Sequence, residues 1–148
     1  MLEYPFMKRA FIELYYLVTH LVSHKITFAR VGFKMRLPLW LILTHDITKL
    51  FPSEILQYIR YGEKRVVSWT HYRHSKHHWQ YWNGQPIPKV YTDEMIADWN
   101  TASIEKHENT ETWYQANKSS MMLSAGTADY IERTLYQSPL LEPGPVIK

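Results

Sequence analysis

The chain has 148 residues, a formal charge of +3 and no cysteine. That length fits one domain with a core of its own, and the missing cysteine excludes disulfides and thiolate metal sites. Lysine and arginine are scattered from Lys8 to Lys148 without forming a stripe, so no nucleic-acid surface is expected. The N-terminus lacks a basic segment followed by an apolar run, which argues against a signal peptide. The most apolar stretch, Leu37 to Leu43, is too short to span a bilayer. A cytoplasmic protein that does not enter the membrane is the expectation.

Apolar residues at helical spacing (Phe6, Ala10, Leu14, Leu17, Leu21) predict a first helix from about Pro5 to Arg30, with Gly32 breaking it or near its end. It carries His20 and His24 one turn apart. Pro38 is placed to open a second helix that is apolar nearly all round (Leu39 to Leu43), hence central and buried. That helix delivers His45-Asp46 into the interior, where a His and a carboxylate need a partner or a metal. A third helix follows Pro52 and runs to about Tyr61, with Gly62 as its stop.

The fourth helix is predicted from about Arg65 to His77. On it His71, His74 and His78 lie on one face, because residues three, four and seven apart stack along a helix. Imidazole is the commonest metal-binding side chain, so this face reads either as a metal site or as a solvated His cluster. His74 would crowd His71 and His78 and is expected to be an exposed non-ligand. Trp79 to Tyr91, with Asn83-Gly84 and two prolines, is expected to be an irregular loop. Thr92 is expected to cap a fifth helix through Lys106 presenting Glu94 and Asp98, followed by helices at about 110–118 and 124–137. His107, near a helix end, is expected at the surface. No segment alternates like a strand. The prediction is one all-α domain over 1–148, of about six or seven helices, with an extended tail from about 138.

His45-Asp46-Ile47-Thr48-Lys49 has the form His-Asp-x-x-Lys. With an upstream His on the first helix and Asp98 downstream, the order resembles the HD-domain superfamily of metal-dependent phosphohydrolases. The segment from His77-His78 to Gln85-Pro86 is similar to the His-His-Glu…Asp-Gly…Gly-Tyr-Pro segment of cyclic-dinucleotide phosphodiesterases, with Trp79 where those carry Glu. Over most of the chain the sequence more closely resembles a small family of uncharacterised bacterial and phage proteins that share His24-Lys25, the His-Asp-x-x-Lys, the His-His-Trp and an Asp after Glu94-Met95.

The resemblance implies an HD-like helical bundle with one or two divalent ions of Mn, Fe, Co, Ni or Zn. His24 (or His20), His45, Asp46 and Asp98 would hold the first ion. Asp46 would bridge to a second held by His71, His77 and His78. Asp46 and Lys49 would be catalytic, with Lys49 neutralising a phosphate oxygen. Arg73 and Lys76 are further phosphate-binding candidates, and Glu94 a partner that orients a ligand. Trp79 and Trp82 read either as packing or as a wall that stacks a nucleobase. The implied activity is hydrolysis of a nucleotide or another small phosphoester. The rivals are a di-iron oxygenase of HD type and a protein that holds metal or nucleotide without turnover. A structural His45–Asp46 pair without metal is the remaining reading.

Overall fold

The computed structural model describes residues 4–61 and 69–137, and all regular structure within them is helical. Gly62, the start of the predicted fourth helix and the tail from 138 lie outside the described residues. The first helix, α1 (Tyr4–Lys34), continues through Gly32. A Cβ at Gly32 would meet Ile42 Cγ1 at 3.0 Å, so this glycine admits the next helix and does not break its own. Arg36, at φ 57°, closes α1. Leu37 N–H bonds Gly32 O at 2.9 Å and Arg36 N–H bonds Phe33 O at 3.1 Å, the paired bonds of a Schellman end.

Helix α2 (Leu39–Thr44) follows Pro38. It buries Leu41 and Ile42 against α1, while Leu39, Trp40 and Leu43 are exposed. The expectation of a central, fully buried second helix is therefore corrected: a six-residue helix has one covered face. A 3-10 turn (Ile47–Leu50) leads to α3 (Pro52–Tyr61), which packs on α1. Helix α4 (Trp69–His74) ends before Ser75, short of the predicted His77. Within the predicted loop, Trp79–Trp82 form the single-turn α5, which brings the number of α-helices among the described residues to eight.

The central element is α6 (Lys89–Lys106), against which α1, α7 (Thr110–Asn117) and α8 (Ala125–Gln137) pack. It starts at Lys89 behind Pro88, so Thr92 is not its cap. The Thr92 hydroxyl instead donates within the first turn to Ile87 O and Pro88 O, both 3.3 Å away. One side of α6 places Met95, Ile96 and Trp99 in a core with Tyr114, Ile131 and Leu135. Another side brings Ala97 against Phe28 and Val31 of α1. A helix covered on several sides shows little amphipathic signal, which hides its centrality from periodicity alone. Its end is a second Schellman closure: His107 sits at φ 57°, exposed, and Glu108 N–H bonds Ser103 O at 2.9 Å.

Candidate metal centre

Leu17, Leu21, His24, Phe28 and Val31 repeat at four and three residues along α1, so the stripe that packs inward carries His24 with it. His24 is buried and meets Asp98, whereas His20, one turn earlier, is exposed. Of the two candidates on the first helix, His24 is the one facing the cluster.

Consecutive side chains of a regular helix diverge, so His45 and Asp46 converge only because α2 has ended at Thr44, before both of them. His45 is extended (φ −50°, ψ 130°) and Asp46 is left-handed (φ 60°, ψ 11°), a region Asp tolerates better than most residues. Lys25 secures this break. Its ammonium donates to Leu43 O at 2.8 Å and His45 O at 2.7 Å, satisfying carbonyls that the end of α2 leaves open. The same device acts at His77 and His78, which lie in the turn after α4, with His78 extended.

The two oxygens of Asp46 face different sets of donors. Oδ2 lies 3.7 Å from His24 Nε2 and 3.7 Å from His45 Nε2, which are 3.1 and 3.4 Å from Asp98 Oδ1. Oδ1 lies 3.0 Å from His71 Nε2 and 3.4 Å from His77 Nε2, and His78 completes that group. Donors placed about 2.0–2.2 Å from one ion stand about 2.8–3.6 Å from each other. Four of the six spacings fall within that range and the two from Asp46 Oδ2 lie just beyond it, and His24, His45, Asp46, Asp98, His71, His77 and His78 are all brought together.

Hydrogen bonding leaves this cluster incomplete without cations. His45 Nε2, Asp46 Oδ1, His77 Nε2 and His78 Nε2 are buried and make no hydrogen bond. Each such atom costs about 1–3 kcal/mol when left unsatisfied. The outer nitrogens, by contrast, are fixed. His45 Nδ1 lies 3.1 Å from Glu94 Oε1, and a carboxylate can only accept, so Nδ1 donates there and Nε2 is the nitrogen turned inward. His71 Nδ1 is 2.8 Å from Thr48 Oγ1 and 3.1 Å from Ser75 Oγ. His24 Nδ1 is 3.1 Å from Glu105 Oε2.

Within the cluster, protonated imidazoles and Lys49 set positive charge against the carboxylates. Burial disfavours a charged imidazole, yet Asp46 and Glu94 outweigh it at His77 and push that residue up to about 10. At His24 burial is likewise outweighed, by Asp98 and Glu105, and the pKa is raised. His78 goes the other way: burial and the neighbouring His77 hold it well below the ordinary histidine value. Burial opposes ionisation of Asp46, but Lys49, 2.5 Å from Oδ2, and His45 hold its carboxyl well below the usual range. At half-buried Asp98, desolvation likewise opposes ionisation, but His24 and His45 keep its carboxyl well below the usual range.

The other predicted site residues are not part of this cluster. Trp79 and Trp82 pack against the core around Ile87 and Met95, and Trp82 Nε1 donates to Lys76 O at 2.8 Å. Lys76 is exposed, with its ammonium 5.3 Å from the Tyr91 ring centre. Arg73 and His74 are exposed. A base-stacking wall of Trp79 and Trp82 therefore has no counterpart at the centre. Sequence reading missed Glu105, Thr48, Ser75 and the anchoring role of Lys25. Glu105 had a visible signal: Glu94, Asp98 and Glu105 fall at i, i+4 and i+11, one stripe of α6.

Fold and site together define an all-α protein whose buried His, Asp and Glu groups are able to hold a metal ion. No described helix is long and apolar enough to cross a membrane. The chain belongs to a family of unknown function (DUF5662), whose model matches residues 14–137 and so covers every donor from His24 to Glu105. Neither a curated protein nor a solved structure matches it.

Proposed function

We propose that the chain is a metal-dependent phosphohydrolase of small phosphoesters, with two divalent transition ions sharing Asp46. The observation that carries this reading is the split of Asp46, Oδ1 toward His71 and His77 and Oδ2 3.7 Å from His24 and His45, with the Lys49 ammonium beside it. Two ions in such a pocket activate a water and neutralise attacking and leaving oxygens. The nitrogen-rich, cysteine-free donor set suits Mn, Fe, Co, Ni or Zn. Around the ions, Glu94 and Glu105 orient the rings of His45 and His24 through their Nδ1 atoms, and the Thr48 and Ser75 hydroxyls orient His71 in the same way. Lys49, partly exposed, is the cation nearest the bridging carboxylate and the one suited to an incoming phosphate. The ligand order also resembles that of HD-domain enzymes.

The test is phosphate release from a panel of phosphomonoesters and nucleotides, with the protein loaded in turn with each of those five metals. Release that depends on metal and ceases on chelation is expected. If iron-loaded protein instead consumes dioxygen while every phosphoester is recovered intact, the oxygenase reading replaces this one. Tight binding of an intact phosphoester under all five metals would favour a non-catalytic binding protein.

A further inference from the structure

A cleft of about 370 Å³ opens directly over His24, His45 and Asp46. Val18, Val22 and Ile26 of α1 form one wall, and Leu43, Ile47 and Leu50 form the other. These six side chains are 47–64 % exposed, whereas the three site residues are buried, so the aliphatic groups are the rim and the donors are the floor. Among the described lining residues, the only other ionisable one is Lys25, and two of its three N–H donors are already held by Leu43 O and His45 O. Beyond the one remaining Lys25 N–H, the walls thus offer no donor for a ribose or a second phosphate.

Six large aliphatic side chains left in water around a polar floor are an unusual arrangement unless something apolar covers them. The volume is that of a small-molecule pocket, a concave site lined by apolar groups with a few convergent polar ones. We infer that the substrate carries an unbranched or lightly branched aliphatic group next to its phosphate, and that Val18, Val22, Ile26, Leu43, Ile47 and Leu50 hold that group while the metal centre takes the head. An aliphatic phosphomonoester fits this cleft; a nucleotide does not. The inference rests on the phosphohydrolase reading for the nature of the head group, and on the cleft alone for the tail.

Calorimetry with manganese-loaded protein and a series of alkylphosphonates, methyl to octyl, tests the tail without requiring hydrolysis. Affinity is expected to rise about two- to fourfold per methylene, as partial to full burial of each group dictates, until the chain outgrows the cleft. Val22→Asp and Leu43→Asp, both at exposed positions, are each expected to abolish the chain-length dependence, with metal content measured to verify the site. A dependence on length that disappears in both variants supports the inference even if no phosphoester is ever cleaved, in which case only the hydrolase reading falls. Equal affinity for methyl- and octylphosphonate overturns it. So does tighter binding of a nucleoside monophosphate than of octyl phosphate. A wild-type dimer that Val22→Asp separates, with flat phosphonate affinity, also overturns it and assigns the cleft to a second copy of the chain.

Discussion

Asp46→Asn is expected to lose metal from both halves of the centre and with it all metal-dependent phosphate release. Asparagine keeps the shape of aspartate and tolerates the left-handed backbone at φ 60°, so the break after His45 survives the change. The charge does not survive, and both oxygens serve: Oδ2 stands by His24 and His45, and Oδ1 by His71 and His77. Loss of a shared ligand should exceed the roughly 10–100-fold drop in affinity that follows when a residue orienting a ligand is changed. Titration calorimetry and elemental analysis on wild type and variant check this. Undiminished metal content in Asp46→Asn would separate Asp46 from the ions.

Lys49→Met is expected to do the opposite: keep the metal and lose the rate. A protonated ammonium has no lone pair, so Lys49 cannot be a ligand. It lies 2.5 Å from Asp46 Oδ2, where its charge adds to the positive field that ions would provide. Methionine retains the length of the side chain and removes the charge. Metal binding should therefore be unimpaired, or tighter where the ammonium competes for Oδ2. Turnover should fall by about 10²–10³, the typical cost of one lost electrostatic contact to a developing charge. Wild-type turnover in Lys49→Met would remove the phosphate role. Loss of metal would make Lys49 a support of the ligand shell.

Much of the centre was legible because its ligands sit at helical spacing or at helix ends. His24 falls on the buried stripe of α1, and Asp98 stands one turn from Glu94 on α6. The adjacent pair His77-His78 signalled a helix end, since adjacent side chains cannot otherwise share a target, and the same geometry holds at His45-Asp46. The errors have physical causes as well. Counting apolar residues made α2 look central, but length limits what a six-residue helix can bury. The centrality of α6 was hidden by its polar residues: Thr92 and Thr101 satisfy their hydroxyls on its own backbone and nearby carbonyls, and Glu94 and Asp98 meet imidazoles. Trp79 and Trp82 were ambiguous because an indole serves a core and a binding wall equally well; packing against Ile87 and Met95 depends on contacts distant in sequence. The aliphatic cleft was invisible for the same reason, since its walls come from α1, α2 and the turn after Asp46.

Elemental analysis of the purified protein, before and after reconstitution with manganese, tests the central claim most directly. Two ions per chain are expected after reconstitution, held through gel filtration and removed by a strong chelator. A reconstituted protein that is folded by circular dichroism and carries no ion would contradict the account. The inward-facing nitrogens of His45, His77 and His78 would then be part of a structural cluster.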